Sequence, residues 1–476
     1  MTRRGADYLA SIAADGRVVL VDGSPVTDVT THPGFAGATA TIAGIYDAAA
    51  DRADLSFEAN GVTSSGMWLP PRAPEDLALR HRVHRHWAEG SFGLMGRTPD
   101  HVASIITAFA ASPAFFGQGS RGTAARVTAF YEEARANDWF VAYAITPPQV
   151  DRSRPAHDQP EEFLYPGIVT ERDGGIVIRG AQMIGTSAAI ADYLLISSIV
   201  PLQPGDEAYA ITVVVPIATE GLRLHARPPY ADPDSGTFDQ PLAARFDEPD
   251  SLVVLRDVFV PWKRVFVHRD IGLVNRQFTE TGATILANYQ ALIRFGVKLE
   301  LASGLAIQLA DAHGIASIPP VQAQLGGDIA ALSAALASIV IAAGAEPVRR
   351  GNLLLPSPQF VTAGVSLQRR WIVDFLRALR EIAGGGFIAM PTHEAFVADE
   401  TAEDVRRYYQ SATLSARDRV ALLKAVWDLV GTEFGGRQLQ YEMFSAAPQH
   451  IADRDVFRAF DWDVGRGHVA RLLEHD

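Results

Sequence analysis

Arg97 and His101 stand four residues apart in GLMGRTPDHV (Gly93–Val102), a cation and a titratable imidazole on either side of a Thr-Pro pair. Thr98 suits an N-cap, Pro99 the first helical position, and Asp100 the positive end of a helix dipole, so a helix is predicted to start here. Its apolar face runs through Val102, Ile105, Ile106 and Phe109, with His101 one turn before Ile105 at the edge. A guanidinium just outside a helix start and an imidazole just inside it converge on one spot, which the free N–H groups make favourable for an anion. The competing account is a capped helix with Arg97 on a carboxylate and His101 at a packed surface.

Two further stretches offer donors. YAITPPQVDR (Tyr143–Arg152) reads as a strand ending in a rigid Pro-Pro turn that presents Gln149 and Arg152, three apart, to the carbonyls or phosphates of a cofactor. Gly185-Thr186-Ser187 follows the strand GIVIRGAQMI, where small hydroxyl residues can approach a flat ligand; exposed turns account for both stretches equally well. Two other patterns carry less. Gly117–Gly122 matches G-x-G-x-x-G, but a helix end and a Pro-containing loop precede it, not a strand, so a glycine loop entering a helix is expected. His81 and His84 are three apart on a predicted helix, but with arginines around them and no adjacent carboxylate a solvated basic face is expected, and no metal site. G-x-S-x-G and H-E-x-x-H are absent, which leaves hydrolase chemistry without an anchor.

The elements that must position these residues fall into three blocks. Helical spacing from Arg72 to Asp138 gives way, between Phe140 and Val267, to short β-branched and aromatic runs separated by Gly, Pro and Asp, as in a barrel or sandwich. Long amphipathic patterns return from Thr281 and predict a bundle of four helices. The fold class is therefore α+β with segregated blocks: a mainly helical domain over 1–139, a β domain over 140–271 and a helical bundle over 272–476.

Composition narrows the chemistry. The chain has 476 residues, 48% hydrophobic and 20% charged, which predicts a large core shared by two or three domains. A formal charge of −13 offers no footprint for nucleic acid. The absence of cysteine excludes disulfides, thiolate nucleophiles, iron–sulfur clusters and cysteine zinc sites, leaving oxygen and nitrogen groups or an organic cofactor. The first residues have no continuous apolar run of a secretory signal, and the apolar run Ala334–Ala345 falls short of the roughly 20 residues a membrane span needs. A soluble cytoplasmic protein with no membrane partner is expected.

Taken in order, GRTPDH, ITPPQVDR, GAQMIGTSAAIADYLLI, RFDEPDSLVVLRDVFVPWKRVFV, NYQALIRFGVKLELASGLA, PPVQAQLGGDIAAL and EFGGRQLQYEMF resemble the oxygenase components of two-component flavin-dependent aromatic hydroxylases. This is the 4-hydroxyphenylacetate 3-monooxygenase family, with a fold like the acyl-CoA dehydrogenases. The resemblance covers nearly the whole chain. It implies a helical N-terminal domain, a central β-barrel and a C-terminal four-helix bundle in a homotetramer, with FAD between barrel and bundle and some contacts from a neighbouring subunit. It implies that Gln149, Arg152 and Thr186 hold the flavin and that the Phe434–Arg437 turn, with Gly435, Gly436 and Arg437, lies near it. Reduced FAD from a separate NAD(P)H:flavin reductase would capture O2 as a C4a-hydroperoxide, which hydroxylates a small phenol, ortho or para to its oxygen, or a related aromatic substrate.

Arg97, His101 and Tyr143 would be the catalytic residues, with Arg97 paired to the substrate oxygen. The family pattern has tyrosine where His101 stands and histidine where Tyr143 stands, so the two residue types are exchanged. His101 would then be the base and Tyr143 a hydrogen-bond donor, with an activity limb near the imidazole's ordinary pKa. Two readings compete: an acyl-CoA dehydrogenase-like flavin oxidoreductase with a carboxylate base, and a flavin-binding homologue with altered chemistry.

Overall fold

The helical periodicity from Arg72 to Asp138 becomes three main helices, α1 (Pro74–Gly90), α2 (Pro99–Ala110) and α3 (Thr123–Asn137), in a computed structural model that describes residues 3–120, 122–233, 235–445 and 448–474. α2 is buried on every side from Pro99 to Phe109. Pro99 takes the first helical position as its fixed φ favours, and Thr98 has the extended backbone of an N-cap. Its hydroxyl, however, makes no cap and donates instead to Asp100 Oδ1 at 2.6 Å. The Gly117–Gly122 segment joins the short helix Pro113–Phe116 to α3, with Gly122 at φ 87° just before the first helical residue, so it is a helix connection, as expected.

The β block forms eight strands, which two from the N-terminal block join: β1 (Val18–Val21) and β2 (Ser24–Val26), then β3 (Val141–Ala144), β4 (Gly167–Arg172), β5 (Gly175–Gln182), β6 (Tyr193–Ile196), β7 (Ile211–Pro216), β8 (Leu222–Ala226), β9 (Ser251–Pro261) and β10 (Val265–His268). The expected closed barrel is not found. Among the described residues these strands make a six-stranded sheet, β2-β1-β8-β9-β5-β4, and a four-stranded sheet, β10-β7-β6-β3. Among the described residues the outer strands of the two sheets do not pair, and the isolated bridge Thr146–Met183 and the bond from Gln182 Nε2 to Ser197 O tie one pair of their ends together. β1 pairs in parallel with β8, Val18 opposite Arg223, so a piece of the expected helical domain belongs to the central sheet. That pairing spans about two hundred residues of chain and leaves no local pattern to read.

The four long helices α4 (Ala283–Ala312), α5 (Ala331–Ala345), α6 (Pro358–Ala383) and α7 (Ala416–Val430) form the predicted bundle, followed by α8 (Glu433–Phe444). α4 is the hub, packed on α1, α2, α5, α6 and α7. It also buries Gln290, Arg294 and Lys298, whose four-residue spacing puts all three on one side. The apolar run at Ala334–Ala345 continues a helical stretch beginning at Pro319, so its length was underread: Pro319–Ala345 has a mean hydropathy of 1.9 over its best window, and only 22% of that window is buried.

Candidate active site

Arg97 leaves the loop before α2 and runs between two tyrosine rings. Its guanidinium carbon lies 5.4 Å from the Tyr143 ring centroid and 5.1 Å from that of Tyr441 on α8. Nη1 donates to the Tyr441 hydroxyl, and Nη2 to the Ser445 carbonyl at 3.3 Å. Its main-chain N–H donates to Glu248 Oε1 at 2.6 Å. Burial disfavours the charge, but the two tyrosines and Glu248 outweigh it, so Arg97 is held as a cation above its ordinary pKa. Gly96 makes the arrangement possible: a Cβ there would sit 2.2 Å from Tyr441 Cζ.

His101 is brought to the same place by the first turn of α2 and Tyr143 by β3, and their rings stack with centroids 5.7 Å apart and planes 26° apart. His101 is 4% exposed, and its Nδ1 lies 2.9 Å from Gln290 Oε1. Burial, then the nearby Arg97, hold the imidazole well below its ordinary pKa, only partly offset by Gln290. It is therefore uncharged at neutral pH, and the activity limb expected near the ordinary value moves to more acid solution. Behind it, Asp100 Oδ2 accepts from His84 Nδ1 at 2.7 Å, and burial lowers His84 to about 4. His84 and Arg80 are thus buried in the site's support, which corrects the expectation of a wholly solvated basic face on α1; Arg82 keeps to that expectation.

A second cluster lies at the seam between sheet and bundle. The turn at Gly185–Ser187 docks on Pro249–Ser251: Gly185 N–H donates to Ser251 O and Ser187 N–H to Pro249 O, both at 2.8 Å, and Thr186 Oγ1 donates to Asp250 Oδ1 at 2.7 Å. From α8, Arg437 reaches the same carboxylate with Nε at 2.6 Å and Nη2 at 2.9 Å, while its Nη1 donates to Glu248 Oε2 at 3.2 Å. Burial alone would raise Asp250, but Arg437 and Thr186 hold it at about 2. Glu248 therefore joins the two clusters, one oxygen on the Arg97 amide and the other on Arg437.

Family models for the N-terminal and C-terminal parts of 4-hydroxyphenylacetate 3-hydroxylase match residues 4–267 and 274–474. The chain belongs to the 4-hydroxyphenylacetate 3-hydroxylase family. It is 33% identical to the oxygenase component of 4-hydroxyphenylacetate 3-monooxygenase of Thermus thermophilus over 93% of this chain and 92% of that one. It is also 33% identical to the pyoverdin chromophore biosynthetic protein PvcC of Pseudomonas aeruginosa, over 98% and 93%. A crystal structure of a hydroxylase oxygenase component with FAD and 4-hydroxyphenylacetate superposes with a TM-score of 0.93 at 31% identity, covering 99% of this chain and 98% of that one. The likeness to glutaryl-coenzyme A dehydrogenase, 12% identical with a TM-score of 0.53, shows the acyl-CoA dehydrogenase-like fold alone. This hydroxylase-family chain is a flavin-dependent aromatic monooxygenase that uses FAD and O2 and draws reduced flavin from a separate reductase.

The hydroxylase's residues fit a polar cofactor at the seam. Ser187 Oγ and Ser251 Oγ are buried without a hydrogen-bond partner among the described residues. Gln149 and Arg152 stand exposed on the adjoining loop, which the Met183 N–H to Thr146 O bond of 2.7 Å holds against the strand leading to Thr186. Arg437 and Thr186, by contrast, already satisfy Asp250. Gly435 has a packing reason of its own, since a Cβ there would meet Leu429 O at 2.6 Å, whereas Gly436 faces open space.

Sequence reading missed Glu248, Asp250, Gln290 and Tyr441, all of which lie inside quoted motifs but were assigned no role. The available signal was α8 spacing: Arg437 and Tyr441, four apart, share a helix face. A cavity of about 480 Å³ lined by His313, Gly314, Gly386 and Arg419 stands apart, roughly 33 Å along α4 from Gln290 at 1.5 Å per residue.

Proposed function

We propose that this hydroxylase acts on a small phenol whose oxygen is held at Arg97 and whose proton passes to His101. The observation that carries the reading is the convergence of a cationic Arg97, an uncharged His101 and the stacked Tyr143 in one place. Electrophilic oxygen attacks a ring readily only when the ring is electron-rich, and phenolate is richer than phenol. Arg97 stabilises the phenolate by a charge-assisted contact aimed where the negative charge develops. His101 takes the proton, and the Tyr143 hydroxyl orients the ring by donating a hydrogen bond. Reduced FAD, when bound near Gln149, Arg152 and the orphaned serines, supplies the electrons that activate O2. The apolar bundle keeps water from the reacting atoms.

The exchange of histidine and tyrosine relative to the family pattern preserves one acceptor and one donor while swapping their origins. Two relatives of equal identity carry names from different chemistries, so the substrate is assigned as a phenol and not as 4-hydroxyphenylacetate itself. We further propose a cytoplasmic homotetramer in which other copies of the chain cover the exposed apolar helix Pro319–Ala345, where Ile341 is 68% exposed. The test is a panel of phenols incubated with the protein, FAD, NADH and a flavin reductase in air. A product heavier by one oxygen atom supports the reading; hydrogen peroxide alone with every phenol overturns it.

A further inference from the structure

Gln290 stands between Asp100 and His101 with its two ends in different bonds. Its amide nitrogen faces two oxygens, Asp100 Oδ1 at 3.3 Å and Thr98 Oγ1 at 3.4 Å. Its Oε1 faces His101 Nδ1 at 2.9 Å. An amide NH2 only donates and a carboxylate only accepts, so the NH2 belongs toward Asp100. Oε1 only accepts, so His101 Nδ1 must carry a hydrogen. A neutral imidazole with Nδ1–H has its lone pair on Nε2, and Nε2 makes no hydrogen bond to any described residue. The opposite tautomer would require Gln290 to turn over, setting its carbonyl against the Asp100 carboxylate.

Asp100 is fixed in turn. The Thr98 hydroxyl donates to its Oδ1 and His84 Nδ1–H to its Oδ2. His84 Nε2 accepts from Arg80 Nη2 at 3.3 Å, and Arg80 is anchored on the Met67 and Leu69 carbonyls at 2.8 and 3.0 Å. From Arg80 to His101 every member of this chain is 4% exposed or less, so water does not compete for its bonds. The charged and titratable groups facing His101 are Arg97, Arg294, His84 and Tyr143. None of them accepts the Nδ1 hydrogen in place of Gln290.

We infer that Gln290 is a positioning residue which, backed by Asp100, fixes His101 in the tautomer whose Nε2 accepts the phenolic proton. The assignment rests on the phenol-hydroxylase reading of this site. In the step itself the phenol O–H breaks, an Nε2–H bond forms, and the negative charge left on the oxygen lies beside Arg97.

Two variants and two readouts test it. Gln290→Leu removes the acceptor and lets the tautomers mix. Gln290→Glu, sharing one proton with Asp100, keeps an oxygen on Nδ1. The readouts are hydroxylation kinetics across pH and the ionisation of 4-nitrophenol bound to the flavin-free protein, followed by its absorbance. Gln290→Leu is expected to lower kcat about tenfold at neutral pH with KM within about threefold, and to raise the pH at which bound 4-nitrophenol ionises by about one unit. Gln290→Glu is expected to bring both back toward the parent protein. A packing role predicts the reverse order, because leucine suits a buried site and a second carboxylate does not. Ionisation in Gln290→Leu at the parent's pH, or Gln290→Leu outperforming Gln290→Glu, overturns the assignment. If the parent hydroxylates no phenol while the ionisation order holds, the hydroxylase reading falls and the role of Gln290 stands.

Discussion

The imidazole of His101 lies against the phenol ring of Tyr143, 5.7 Å between centroids, although one comes from the first turn of α2 and the other from an edge strand of the four-stranded sheet. Arg97 packs on the ring of Tyr143 and is clamped by Tyr441 on α8. Three blocks of the chain thus meet at one cation, and the chemistry follows from what that meeting does to charge.

Arg97→Ala removes the charge that favours phenolate. Hydroxylation should fall by about 10²- to 10³-fold, the usual effect of losing one preorganised electrostatic group, while FAD affinity stays within about threefold. Turnover assays beside a fluorescence titration of FAD check this; unchanged turnover removes Arg97 from the site.

Gly96→Ala places a methyl group 2.2 Å from Tyr441 Cζ. Tyr441 must swing away and lose its hydrogen bond from Arg97, at a cost of about 1–3 kcal/mol in urea unfolding together with reduced turnover. A variant as stable and active as the parent would show that Tyr441 moves freely.

Glu248→Gln weakens a carboxylate that serves both the Arg97 amide and Arg437. Arg437 keeps its two bonds to Asp250, so the loss is limited to about 1–3 kcal/mol. Because the same carboxylate orients Arg97, hydroxylation should fall more than the urea midpoint alone explains. Loss of stability with full activity in the folded fraction would confine Glu248 to a structural part.

Mild acid should weigh against the fold through the buried histidines, opposed in part by the buried Asp138, whose carboxyl is raised to about 6 and takes up its proton in the fold. His84 is lowered to about 4 in the fold against about 6.5 in the unfolded chain, and His101 is lowered as well. Between those values the unfolded chain binds protons that the folded chain refuses, so stability present above pH 6.5 is lost as pH falls toward 4. Thermal melts across that window should show the midpoint falling with acid more in the parent than in His84→Gln, which leaves the Asp138 contribution unchanged. An unchanged slope in the variant would show that His84 takes up its proton in the fold.

Much of this was legible in the sequence because it is local. The Thr-Pro start, the four-residue spacing of Arg97 and His101, and the long amphipathic helices report single elements with strong periods. What escaped is made by distant pairings. Thr98 was read as a side-chain cap, but its hydroxyl has a better acceptor in Asp100. Asp100 was read as a dipole partner, and its true role needs His84 and Gln290, brought together only when α1, α2 and α4 pack. The choice between barrel and sandwich was open for the same reason, since strand runs say nothing of whether edges meet, and β1 finds β8 across two domains. Gln149, Arg152 and Thr186 were drawn from turn chemistry and from resemblance, Arg437 from resemblance alone, and the fold brings Thr186 and Arg437 together on Asp250 while leaving Gln149 and Arg152 on a neighbouring loop.

The central claim, that an uncharged His101 receives the phenolic proton beside Arg97, is tested most directly by the pH dependence of hydroxylation in the parent and in His101→Asn. The parent should keep its rate through neutral pH and lose it on an acid limb below pH 6.5, and that limb should vanish in His101→Asn along with most of the rate. Superimposable profiles and equal rates in the two proteins would contradict it.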